Sequence, residues 1–127
     1  MTVWKFICWD DTERECLLRL LFGDGAYHDI RRGDICLLHN TQSDILYGPF
    51  IALTDCTHLL VPQAWTDLRQ PRRFVWQVAV RPCNPTYMLM NASGQINILR
   101  DHFQEGNDAE NIYRQLLANP NKKRIFF

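Results

Sequence analysis

Between Trp9 and Gly23 the chain reads WDDTERECLLRLLFG, and there its apolar repeat changes from every second position to every third or fourth. Upstream, Trp4, Phe6 and Cys8 share one face of a strand candidate, with Val3 and Ile7 on the other. Both faces are mostly apolar, which suits a central strand. Downstream, Cys16, Leu17, Leu20 and Leu21 recur at helical spacing and form one buried stripe. Thr12 and Glu15 have the T-x-x-E spacing of a capping box, in which each side chain satisfies a free amide at the helix start. Gly23 stands where a left-handed residue ends a helix.

The glycine-rich loop GDGAYHDIRRGD leads to a second strand over 34–39, and NTQSD turns the chain into a third over 45–54. Gly48-Pro49 interrupts that third strand, so a bulge or a sheet edge is expected there, since proline cannot donate to a ladder. Residues 74–80 alternate most cleanly, with Phe74, Trp76, Val78 and Val80 on one side. Trp76 is therefore read as packing. Residues 87–99 add one or two short strands around a turn at 91–94. Asp108 caps a last helix whose buried stripe is Ile112, Leu116 and Tyr113. The tail ends in KKRIFF, either an edge strand or a surface that meets another domain. The order predicts one α+β domain over 1–127, a small half-open β-barrel with helices packed around it.

Composition narrows the class. The 14 basic and 14 acidic residues cancel, so a nucleic-acid partner must be gripped by a local patch rather than by a whole basic face. Five cysteines stand singly, with no C-x-x-C, which argues against structural zinc and against a disulfide framework. Reduced core thiols in a cytoplasmic protein are the expectation. The start, MTVWK, lacks the charged head and apolar run of a signal peptide, and no apolar stretch is long enough to span a bilayer. His28, His39, His58 and His102 are scattered without metal-ligand spacing, and no G-x-S-x-G, Walker A or dinucleotide fingerprint occurs. A binding module without cofactor or metal is expected, rather than an enzyme.

The succession ECLLRLLFG, RRGDICLLHN, ILYGPFIAL, VPQAW and RFVWQVAV resembles the development and cell death domain in order and spacing. The resemblance runs from Trp4 to Pro82, about two thirds of the chain. That domain is similar to the PUA-like group, which includes the YTH and EVE domains. The resemblance implies a pocket lined with aromatic rings that holds one modified base flipped out of its strand, beside a basic surface. It also implies a role as the DNA-recognition domain of a modification-dependent restriction protein of the McrBC type. Plant members associated with stress responses imply the alternative, a protein-interaction module.

A pocket for a base needs flat apolar walls, polar groups for the base edge and positive charge outside for phosphate. By the resemblance, Trp9 and Asp10 fall at the pocket edge, Phe22 with Gly23 near the first cage aromatic, and Trp65 at the second. Phe22 departs from the tryptophan of YTH domains. Asn40 and Tyr47 flank the hairpin within reach, and Tyr27 and His28 are loop residues able to gate the site. Arg31, Arg32, Arg69, Arg72 and Arg73 are the candidate phosphate contacts, which supply affinity without sequence information. Each has a plainer role: helix capping for Asp10 and Asp11, core packing for Trp9, Phe22 and Trp65, a solvated loop for the arginines. The partner expected is a nucleic acid carrying a modified base, DNA before RNA. The apolar ending hints at a piece excised from a larger protein.

Overall fold

The computed structural model describes residues 1–66 and 74–127. Within them β1 (Val3–Cys8), α1 (Asp10–Arg19), β2 (Leu21–Asp24), β3 (Ile35–Asn40) and β4 (Ile45–Ala52) are followed by β5 (Thr57–His58) and β6 (Trp76–Met90). Then come α2 (Ala92–Gln95), α3 (Gly106–Ala118) and β7 (Lys123–Ile125). The strands make one mixed sheet in the order β1-β3-β4-β6-β2, with β5 and β7 also paired to β6. Among the described residues only β1 and β3 run parallel; the remaining pairs are antiparallel. The sheet curls until Phe6 on β1 meets Phe22 on β2, ring centroids 5.6 Å apart, yet no ladder joins those two edges among the described residues. It stays open.

Alternation sorts the side chains into two cores. Inside the curl, Trp4, Phe6 and Cys8 join Phe22, Cys36, Leu38, Phe50 and Val78. On the outer face, Val3, Leu37, Leu46 and Leu89 meet α2 and α3 through Ala92, Ile112 and Leu116. Tyr47 and Phe50 both face the inner core although they are three residues apart, because the register shifts between Gly48 and Phe50. The expected bulge is therefore present, in an interior strand. Gly48 is required there: a Cβ on it would lie 2.5 Å from Leu37 Cδ2, and its φ is +159°.

Several expected boundaries move. The helix starts at Asp10 with Trp9 as its N-cap residue, so Thr12 takes the third helical position and its hydroxyl accepts the Trp9 N–H at 2.8 Å. Glu15, expected in the capping box, instead accepts the backbone N–H of Trp65. Leu20 ends the helix in the left-handed region (φ 52°), because Leu21 must already pair with Ala79. Gly23 lies inside β2. It is needed for close approach, since a Cβ there would meet Phe74 Cβ at 2.7 Å and the Trp65 ring at 3.2 Å.

The strands expected separately at 74–80 and from Tyr87 are one strand, β6, held along its length by β4. Asn91 then turns the chain (φ 52°) into α2 rather than into another strand. Glu105, not Asp108, is the N-cap residue of α3, while Ile112 and Leu116 are buried as expected. Asp108 lies in the first turn, where a negative charge faces the positive end of the helix. The tail forms the edge strand β7 against Thr86–Met88. Among the described residues no helix is long and apolar enough to cross a membrane.

Candidate functional site

β1 and β3 are parallel neighbours, so Cys8 and Asn40 end side by side at one mouth of the curl, and α1 starts there. That geometry collects four of the expected residues. The Asn40 side chain is fully buried; its amide donates to Asp10 Oδ1 at 3.0 Å, and its carbonyl oxygen accepts the N–H groups of Gln42 (2.9 Å) and Ser43 (3.1 Å). Asn40 thus ties the β3–β4 turn to the start of α1. The Asp10 N–H donates to Gln42 Oε1 at 2.7 Å. Asp10 itself is exposed, and its second carboxylate oxygen has no partner among the described residues.

One turn along α1, Glu13 Oε1 accepts the Tyr47 hydroxyl at 2.6 Å. Burial, and next the Glu13 carboxylate, push the Tyr47 phenol well above its ordinary range, so it remains a donor. The N-terminus of α1 therefore carries Asp10, Asp11 and Glu13, and two of these carboxylates are held by side chains from the neighbouring strands.

Beside this polar set lie three aromatic rings. Trp9, half-buried, stacks on Phe74 with centroids 5.7 Å apart and planes inclined by 22°. Trp65 meets the same Phe74 edge-on at 5.0 Å, and its indole N–H donates to the Thr12 carbonyl at 3.3 Å. Trp9 and Trp65 do converge, with Phe74 shared between them. Phe74 was legible only as a strand residue, and its position directly after the arginine-rich loop was the missed signal.

The walls differ from the expectation in one respect. Trp65 is 1 % exposed and Phe22 is 0 % exposed, with Phe22 packed edge-on against Phe50 at 4.9 Å. Both rings belong to the inner core in this structure and present no face to a ligand. Gly23 contributes by its missing side chain, which lets Trp65 and Phe74 sit against the β2 backbone.

The arginines divide. Arg31 and Arg32 precede β3, whereas Trp9 follows β1, so they lie at the other end of the parallel pair, about 17 Å away at the usual rise per residue. Arg31 is also occupied, its Nε–H donating to Asp29 Oδ1 at 2.8 Å. Those two are not brought to the Trp9 end. Arg69, Arg72 and Arg73 lie outside the described residues. Tyr27 packs edge-on against Trp76 at 5.2 Å, and His28 stacks on Phe103 at 3.7 Å while facing Asp24 at 2.6 Å.

Among the described residues no group of three or more His, Cys, Asp or Glu side chains is placed to hold a metal ion. Burial pushes the thiols of Cys36, Cys56 and Cys83 up, away from the thiolate that a nucleophile requires. Cys8 moves the same way, chiefly through its contact with Cys16. At the mouth stand a half-buried indole stacked on Phe74 and an exposed carboxylate that Asn40 holds by one oxygen, while the first N–H groups of the helix are taken up by Gln42, Thr12 and the Trp9 carbonyl. Set against protein-family models, curated proteins and solved structures, the chain matches none.

Proposed function

We propose that this chain is a reader module of PUA-like fold that holds one flipped, methylated base of a nucleic acid at the mouth where α1 begins. The base would lie against Trp9, and the open oxygen of Asp10 would accept a hydrogen bond from its exocyclic amine, as carboxylates accept from cytosine N4. Asn40 fixes the Asp10 carboxylate, and Tyr47 with Glu13 stiffens the first turn beneath it. Phe22, Gly23 and Trp65 form the floor behind the site. Phosphate contacts fall to Arg69, Arg72 and Arg73, the residues that lead in sequence to Phe74. Such a module would serve as the recognition domain of a larger, modification-dependent restriction protein acting on DNA.

The observation that carries the reading is the pairing of Trp9 with Asp10: a half-buried indole next to an exposed carboxylate that Asn40 holds by one oxygen only. Capping alone accounts for an acidic residue in the first turn. The buried Asn40 amide goes beyond capping, because besides tying the β3–β4 turn to α1 it fixes one oxygen of that carboxylate.

The test is a titration of the full chain with methylated and unmodified oligonucleotides, single- and double-stranded, DNA and RNA, at two salt concentrations. Methylated DNA should bind more tightly, and affinity should fall as salt rises because released counterions drive the phosphate contacts. Trp9→Ala should cost about 1–3 kcal/mol of binding, the usual worth of one stacked base. Asp10→Asn should erase the preference between bases while circular dichroism stays that of the parent. Equal binding of modified and unmodified strands by folded parent and folded variants ends this reading.

A further inference from the structure

The end of the sheet farthest in sequence from α1 has a charge pattern that base recognition does not use. Residues 82–99 contain no charged side chain, and residues 119–127 contain Lys122, Lys123 and Arg124 with no acid. In a chain whose charges cancel overall, these two segments pair with each other through β6 and β7 and concentrate three cations on one edge. β7 is bonded to β6 on one side, and on its other side no strand among the described residues covers it. An exposed edge of this kind presents a row of backbone N–H and C=O groups.

The cations are placed rather than loose. Arg124 donates to Asn84 Oδ1 and lies over the Phe126 ring at 4.9 Å, and the Lys122 ammonium lies 5.2 Å from the centre of the Tyr87 ring. Among the described residues no carboxylate forms an ion pair with any of the three. Two cavities sit at the ends of the short strand. One, of about 320 Å³, lies between Pro82, Cys83, Asn84, Thr86, Ile125 and Phe127. The other, of about 490 Å³, lies between Met90, Gln95, Pro120, Asn121 and Lys123. Phe126, Phe127 and Met90 around them are 79 %, 59 % and 50 % exposed.

We propose that the free edge of β7 is a docking site for an extended acidic segment of a partner protein, which adds a strand to the sheet and places an apolar side chain in the cavity beside Phe127. Lysines on an edge strand can simply guard it against aggregation. That role leaves the exposed Phe126, Phe127 and Met90 unexplained. A nucleic-acid strand would satisfy the cations and leave the row of backbone groups without partners, whereas a peptide satisfies both. A second copy of this chain would bring the same three cations face to face, which opposes self-pairing.

The experiment uses the full chain and a short fluorescein-labelled peptide that alternates glutamate with valine around one phenylalanine. Saturable binding is expected, with amide shifts in the nuclear magnetic resonance spectrum confined to Thr86–Met90 and 122–127. Lys123→Glu combined with Arg124→Glu, both exposed, should weaken it about tenfold or more while the melting temperature is kept. Methylating alternate backbone nitrogens of the peptide should abolish it. Trp9→Ala should leave it unchanged, so failure here and failure of base recognition are distinguishable. The proposal is overturned by no saturable binding, by equal binding of the lysine-for-glutamate peptide, by displacement with a single-stranded oligonucleotide of matched charge, or by dimerisation in sedimentation that excludes the peptide.

Discussion

The two faces of the same sheet are stabilised by different physics. The inner face is aromatic and apolar, built by Trp4, Phe6, Phe22, Phe50, Trp65 and Phe74 in edge-on and tilted contacts. The outer face holds a polar layer inside an otherwise aliphatic core. Lys5, 0 % exposed, donates to the carbonyl oxygens of Arg100 (2.7 Å) and His102, while its backbone exchanges two hydrogen bonds with Gln104. His39, 1 % exposed, faces Asp44 at 2.9 Å, and Asp44 also accepts the Ser93 hydroxyl at 2.6 Å. The inner face sets the shape of the mouth where α1 begins. The outer face fastens two loops, 96–105 and the α2 start, across the back of the sheet. Packing should therefore dominate mutations on one side, and pH should matter mainly on the other.

The largest effect is expected at Trp65. Removing its indole takes away the edge contact to Phe74, the hydrogen bond to Thr12 and the filling above Gly23. Trp65→Ala should cost about 3–5 kcal/mol, read as a shift in the urea midpoint. Trp9→Ala, by contrast, should cost far less stability and, on the proposed function, most of the base affinity. Equal destabilisation by the two would break the division between a floor and a reading face.

How much of this was legible follows the same division. The shared face of Trp4, Phe6 and Cys8 in β1 and the proline within β4 pointed to the inner face and its bulge, because packing writes itself into periodicity; β1, apolar on both faces and read as a central strand, instead ends the sheet order. Asp10, Asn40 and Tyr47 were legible as one group, since a strand end and a hairpin bring them to the same mouth. Phe22 and Trp65 were not separable from the core by sequence, because a pocket wall and a core wall call for the same ring. The helix start was misplaced by a T-x-x-E spacing, whose glutamate serves Trp65 instead. Lys5 on the outer face was invisible: a lysine in a strand reads as exposed, and only the carbonyls of a distant loop, some 95 residues on, make its burial tolerable.

That burial gives the next prediction. Desolvation lowers the Lys5 ammonium from its ordinary value to about 7, against the smaller opposing pull of Asp101. The neutral amine retains two N–H donors, enough for the two carbonyls it faces. In the unfolded chain Lys5 is protonated below about 10.4. Between there and about pH 7 the unfolded state therefore binds more protons than the folded one, and stability rises with pH across that window. Lys5→Met should flatten this slope in urea titrations from pH 7 to 10. A slope that persists in the variant would show that Lys5 stays charged in the fold.

The smallest effect separates His39 from its surroundings. Burial lowers its imidazole below the ordinary range, and the Lys5 charge adds to this, while the hydrogen bond with Asp44 and the Asp44 and Asp101 charges oppose it without prevailing. Its Nδ1 is buried with no hydrogen-bond partner among the described residues, so a proton placed there would be desolvated and unshared. The unfolded chain takes up that proton near pH 6.5, and the fold resists it; stability contributed by neutral His39 is present above about 6.5 and is lost as pH falls below it. His39→Leu should remove this part of the acid limb below about pH 6.5, leaving Asp44 held by Ser93. If the limb is unchanged in the variant, His39 is already compensated by its neighbours. The outer layer would then titrate through Lys5 alone, and the contrast between the faces would rest on one residue.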